Sequence, residues 1–255
     1  MGMSDLETES IQTIFSDPPY NTGNSVDKTI TYDQNENFAQ KNWTNFHSDW
    51  DQIDDYRTWS TAWLTQAQRI LKPNGSIWIC GSFHNIPDVA LALIVLDFYT
   101  IQWVSWCIPN AFPHLAGIKM GNSNQTIIWA RKSKAVTQFY DLEAARKYND
   151  GKNLRDFWLI NNDSQAGKFW KHPSKKPFDL VFRALDISTP KHVGATVLDM
   201  FAGSGTTGSA AKHLGLDCIL FERKAEYIPM IKDRVTNEKR IVPYLKIKPN
   251  LNQIH

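Results

Sequence analysis

Short runs of β-branched and aromatic residues alternate along this chain with longer stretches of helical period. Six runs read as strands: Gln12–Phe15, Ser76–Cys80, Ile101–Trp106, Gln125–Ala130, Thr196–Met200 and Cys218–Phe221. Five stretches read as helices: Tyr56–Leu71, Ile86–Leu96, Pro177–Asp186, Thr206–Leu214 and Glu226–Asn237. The first helix is expected to stop at Lys72-Pro73-Asn74-Gly75, where proline and glycine favour a turn. Pro177 suits a first helical position, because its missing N–H would be unpaired there in any case. Strands that alternate with helices predict one α/β domain over 1–255, with a mainly parallel sheet and helices on both faces. Two stretches break the alternation. Thr22–Asp55 is a polar, Asn/Asp-rich loop without period, and Lys132–Pro173 has mixed charge and scattered aromatics. A loop as long as the first is expected to be functional or disordered. The second reads as a small excursion from the sheet, either a self-packed surface piece or a functional element whose weight depends on the motifs that flank it.

Composition narrows the class without naming it. The chain is 42% hydrophobic, and 28 Lys+Arg stand against 26 Asp+Glu for a formal net charge of +2. So slight an excess permits nucleic-acid binding only through a local patch. The three cysteines are odd in number and far apart, so they read as small buried apolar groups in a reducing cytoplasm. No apolar run reaches the roughly 18 residues of a membrane span, and the polar first residues do not resemble a signal peptide. A soluble, cytoplasmic protein is expected. No second ligand stands at metal spacing from His84 or His114, which read as loop or core polar groups, and no metal is expected. Trp43 and Trp50 lie in the polar loop as candidate DNA contacts.

Three motifs carry chemistry. In Ile14-Phe15-Ser16-Asp17-Pro18-Pro19-Tyr20 an apolar strand ends in an acid, two prolines and an aromatic. The prolines end the ladder, at the sheet edge where open α/β folds bind ligands. Asp17 and the backbone carbonyls beside it accept hydrogen bonds, and Tyr20 offers a flat face, a set suited to an exocyclic amine. Asp-Pro turns after strands are common, so this motif has little weight alone. The second motif is Asp199-Met200-Phe201-Ala202-Gly203-Ser204-Gly205-Thr206-Thr207-Gly208, placed between a strand and a helix. Its glycines let backbone approach a nucleoside, Asp199 suits a cationic amino group, and Glu222 after the next strand suits ribose hydroxyls. A turn that serves only helix packing is the plain reading. A dinucleotide site is disfavoured because an acid before the glycines would repel a pyrophosphate. The third motif, Lys171-His172-Pro173-Ser174-Lys175-Lys176-Pro177, is either a solvated basic turn or a contact to a cofactor carboxylate, with Lys176 as its candidate.

Together these elements resemble the β class of amino-methyltransferases, in which the catalytic motif precedes the cofactor motif as Asp17–Tyr20 precedes Phe201–Gly205 here. Other stretches share the likeness: Leu71–Ser76, Gly81–Ile86, Thr126–Lys132 and His172–Pro177. The segment from Tyr140-Asp141-Leu142 through Asn149-Asp150-Gly151-Lys152 is similar to the second methylase of GATC-type systems. The resemblance implies a Rossmann-like S-adenosylmethionine-dependent sheet of the seven-strand type and methylation of N6 of an extruded adenine. It implies catalytic Asp17, Pro18, Pro19 and Tyr20. It also implies a cofactor site of Phe15, Lys176, Asp199, Phe201, Ala202, Gly203, Ser204, Gly205, Thr206, Thr207 and Glu222. It places target recognition in 132–172 and a DNA-side loop in 22–55. Its partners would be a specific DNA site, a cognate restriction endonuclease and, as a homodimer, a second copy. Family members carry a further strand and a Gly-Asp pair upstream of the catalytic motif, whereas 16 residues precede Asp17 here. A late start, a shorter edge and weaker cofactor binding are the readings of that difference.

Cytosine-N4 methylation is the nearest rival, since both targets are exocyclic amines. Family members acting on cytosine usually carry serine where this chain has Asp17. Methylases of glutamine or RNA amines more often carry asparagine there. A silent DNA-binding partner would keep the fold without turnover, and intact Asp17, Tyr20 and glycines speak against it.

Overall fold

A computed structural model describes residues 2–22, 51–111, 118–163, 170, 172, 174–192 and 194–239. The polar-loop residues Trp43 and Trp50, and His114, lie outside them. Seven strands form one sheet: β1 (Ile11–Ser16), β2 (Leu71–Gly81), β3 (Tyr99–Cys107), β4 (Asn124–Arg131), β5 (Phe157–Leu159), β6 (Thr196–Asp199) and β7 (Asp217–Leu220). Their order is β5-β3-β4-β2-β1-β6-β7. Neighbours pair in parallel except where β4 meets β2 and β3, so β4 alone runs against the rest. The mainly parallel sheet follows the sequence pattern.

Side chains alternate across the sheet as the period of two requires. Ile14, Ile77, Ile79, Ile128, Ala130 and Leu198 face one side, covered by α1 (Tyr56–Ile70) and α2 (Ile86–Val95). Phe15, Trp78, Cys80, Ile127, Trp129 and Val197 face the other, under α3 (Leu142–Lys147), α4 (Phe178–Ser188) and α5 (Thr206–His213). A final helix, α6 (Ile228–Asn237), packs on α5. On the second face Trp78 and Trp129 are cross-strand partners with rings stacked 4.7 Å apart, and Trp78 donates to Ser188 Oγ at 2.9 Å. Such a pair joins large apolar burial to a satisfied indole N–H.

Four details differ from the sequence reading. Residues 72–75 form no separate turn after α1. They are a bulge in β2, whose register jumps from Ile11↔Leu71 to Thr13↔Ser76. Pro177 is the residue before α4 rather than its first, with extended backbone. The last helix breaks into a 3-10 turn over Ala225–Tyr227 and α6, because Pro229 lacks an N–H and belongs in a first turn. The fourth lies in the 132–172 stretch, which comes back to the sheet within its own length. It contributes α3, capped by Asp141 accepting from Ala144 N at 2.9 Å, and then β5, which extends the sheet beside β3. Buried Trp158 explains the return, because it packs against Trp78 in the core. Among the described residues no helix is long and apolar enough to cross a membrane.

Candidate active site

From β1 the chain passes through α1 on one face to β2, and from β6 through α5 on the other face to β7. The adjacent carboxyl ends of β1 and β6 therefore form a topological switch point, where an open α/β sheet leaves a crevice. A cavity of about 460 Å³ lies there, lined by Asp17–Tyr20 after β1, Asp199–Ser204 after β6 and Glu222 after β7. The two motifs are distant in sequence and meet because their strands are neighbours.

Asp17 is anchored by a cation. Lys176 Nζ lies 2.6 Å from Asp17 Oδ2, with both side chains largely buried, and 5.0 Å from the centre of the Tyr20 ring. Asp17 Oδ1 is buried with no hydrogen-bond partner. A buried carboxylate oxygen without a donor is costly, so Asp17, which lines the cavity, keeps an unused acceptor. Tyr20 donates to Gln125 Oε1 at 2.8 Å, which fixes its ring against the start of β4. Burial, then the charge of Asp17, pushes the Tyr20 phenol well above its usual range, so it stays neutral. Tyr56 donates to the Pro19 carbonyl at 2.6 Å, so α1 braces the double-proline turn.

The glycine loop is held by its own acids. Asp199 accepts from Phe201 N at 2.9 Å and from Thr207 Oγ1 at 2.5 Å. Glu222 accepts from Gly203 N and from Lys224 N, each at 2.8 Å. Gly203 has φ +50°, and a Cβ there would meet His172 Cε1 at 3.1 Å. The His172 ring packs edge-on against Tyr227, and burial, followed by the charge of Lys176, lowers it to about 4, so it is neutral at pH 7. Behind the loop, fully buried Arg234 donates to Ser204 Oγ at 2.7 Å and Thr206 Oγ1 at 2.6 Å and pairs with Glu238.

Asp199 is the anomalous acid. Burial pushes its carboxyl up to about 7; the bonds from Thr207 and Phe201 pull against this, and Asp17 and Glu222 add to it. The folded state then keeps a proton that the unfolded chain loses from about 3.8 upward. This contribution to stability is complete below that value and is lost as pH rises through about 7. Asp199→Asn should therefore raise the thermal midpoint of the ligand-free protein more at pH 8 than at pH 5. Comparing the two proteins isolates Asp199, since His172 is common to both. An equal shift at both pH values would count against the raised carboxyl.

The expected residues Phe15, Asp17, Pro18, Pro19, Tyr20, Lys176, Asp199, Phe201, Ala202, Gly203, Ser204, Thr206, Thr207 and Glu222 all line the cavity. Gly205 does not. It precedes α5 with φ +76°, and a Cβ would press on Ile231, so its part is to turn the backbone. The cavity also contains residues that the motifs did not single out, among them Asp51, Ile53, Trp59 and Tyr227. Trp59 packs 5.7 Å from Phe201 and widens the aromatic wall. Asp51 accepts from Asn21 N and Thr22 N, while the Asn21 amide bonds both backbone groups of Ile53. The two ends of the polar loop are thereby fastened beside Tyr20. Helical period gives no hint that Trp59 would face this way.

Sheet order and strand-end acids around a glycine loop define a methyltransferase of the S-adenosylmethionine-dependent fold. Solved structures share it: the M1.HpyAVI–SAM complex (TM-score 0.65, 24% identity, covering 92% of this chain and 91% of that one) and the cytosine-N4-specific PvuII DNA methyltransferase (0.69, 19%, 94% and 84%). The chain belongs to the N6_N4_Mtase family of DNA methylases, whose model matches residues 11–233. It is 34% identical over 246 residues to the Type II methyltransferase M2.DpnII of Streptococcus pneumoniae, covering 92% of this chain and 86% of that protein. It is also 34% identical over 240 residues to M2.LlaDCHI of Lactococcus lactis subsp. cremoris, with coverage of 90% and 84%.

Proposed function

We propose that this DNA methyltransferase transfers a methyl group from S-adenosylmethionine to N6 of an adenine extruded from a specific DNA site. The observation that carries the reading is Asp17: one oxygen fixed by Lys176, the other unpartnered, and Tyr20 alongside.

The chemistry of the lining fits the cofactor. Asp199 is a buried carboxylate with no cationic partner among the described residues, matched to an α-ammonium. Each Glu222 oxygen accepts one backbone N–H and keeps a lone pair for a ribose hydroxyl. Phe201, Trp59 and Phe15 supply apolar wall, and Gly203 with Ala202, Ser204, Thr206 and Thr207 supplies close backbone and hydroxyls. When bound, the cofactor supplies an electrophilic methyl on a sulfonium. The protein's share is to hold the amine. Asp17 Oδ1 and the Pro18 carbonyl accept its two N–H bonds, which turns the nitrogen lone pair away from the ring and stabilises the charge developing on nitrogen. Tyr20 stacks on the base and Gln125 keeps that ring in place. Lys176, expected on a cofactor carboxylate, is proposed to serve Asp17 first.

Target recognition within 132–172 is proposed to fall on its last part, because 132–148 lie at the opposite edge of the sheet. Phe139 N bonds the Asn74 carbonyl there, and Asp141 N that of Ile187. The Type II names of the relatives support a cognate restriction endonuclease as a functional partner; homodimer formation is a further proposal that rests on the family resemblance alone. Transfer of labelled methyl to unmethylated DNA, with nucleoside analysis, tests the reaction. Label in N6-methyladenine is expected. Label in N4-methylcytosine would overturn the target, and no transfer by folded protein would overturn the reading.

A further inference from the structure

Six of the seven strands end at the catalytic edge, and β4 alone begins there. The connection from β3 to β4, residues 108–123, therefore has both its ends on that edge. It leads straight into Gln125, whose amide holds the Tyr20 hydroxyl. Its base is braced. Ile108 N donates to the Ser123 carbonyl at 2.8 Å, Asn162 N donates to Asn110 Oδ1 at 2.7 Å, and Asn110 Nδ2 returns a bond to the Asn162 carbonyl at 3.1 Å. Here stand the two most exposed large apolar side chains among the described residues, Ile118 at 84% and Met120 at 90%, on either side of exposed Lys119. Leaving two such side chains in water forgoes the stabilisation that burial would give them. The next two in exposure are placed differently. Ile94 and Val95 end α2, which starts after β2 at the catalytic edge and therefore finishes at the far one.

We propose that Ile118 and Met120 form a wedge that enters the base stack of duplex DNA beside the target and helps to extrude it, with Lys119 on a neighbouring phosphate. The inference rests on the methylation reading above. Met120 is five residues from Gln125, so their Cα atoms are at most about 18 Å apart. That keeps the wedge within a few base steps of a base stacked on Tyr20. Apolar side chains of this kind insert between base steps and unstack them, and extruding a base costs least where it is already mispaired.

That last point gives the test. An Ile118→Ser/Met120→Ser double variant and the unchanged protein are compared on two duplexes carrying the site mapped from the methylated product. In one the target adenine is paired; in the other it faces an abasic position. The variant should lose roughly tenfold or more in kcat/KM on the paired duplex, and little on the mispaired one. Cofactor affinity should not move. Equal loss on both duplexes, no loss on the paired one, or a change in oligomeric state caused by the variant would overturn the wedge. No transfer by the unchanged protein to either duplex would instead sink the methylation reading on which the wedge depends.

Discussion

Asp17→Asn is expected to lower methyl transfer by roughly 10²–10³-fold, as when one preorganised group at a developing charge is removed. Cofactor binding measured by titration should change little. The substitution keeps size and shape but leaves the buried Lys176 ammonium without its counter-charge, so the thermal midpoint is measured alongside to separate lost folding from lost chemistry. What changes is the atom presented to the amine. Lys176 has donors only, and at 2.6 Å from the Oδ2 position it will hold the oxygen of the introduced amide there. The amide NH₂ then takes the place of Oδ1 and points a donor at the donor hydrogens of the target. Asp17→Asn should therefore perform no better than Asp17→Ala, although asparagine keeps an acceptor. If the asparagine variant retained a third of the rate or more, the hydrogen-bonding role of Asp17 Oδ1 would be untenable.

Both chemistry-bearing loops were legible because their signals are local. Prolines after an apolar strand and glycines between a strand and a helix constrain backbone within a few residues, and the strand alternation set the two faces. What was hidden depends on distance in the chain. The Asp17–Lys176 pair joins residues 159 positions apart, and neither motif announces the other as its partner. Asp51 and Trp59 reach the cavity from the end of an aperiodic loop and the first turn of an ordinary amphipathic helix. Three-residue β5 and six-residue α3 are too short for any period to show. Their evidence was a single buried Trp158 and the Asp141 cap. The bulge at 72–75 misled for a related reason: Pro73 and Gly75 do interrupt the ladder, but pairing resumes on the same strand.

The anchoring cation predicts a second large effect, and one that does not add to the first. Lys176→Met should slow transfer by roughly 10- to 10²-fold, because Asp17 is then free to turn and small misplacements of a reacting group are costly. It also leaves a mostly buried carboxylate unpaired, so a lower thermal midpoint is expected. A contact to cofactor alone would weaken cofactor binding and leave the rate at saturation intact; the anchor makes the opposite division. The double variant decides the matter. Without the ammonium, an asparagine at this position can rotate and offer its oxygen to the amine. Asp17→Asn/Lys176→Met should then be several-fold faster than Asp17→Asn alone. Independent sites would give the product of the two losses. That slower rate in the double variant would show that Lys176 does not set the orientation of residue 17, and the carboxylate would need another explanation for its one unpartnered oxygen.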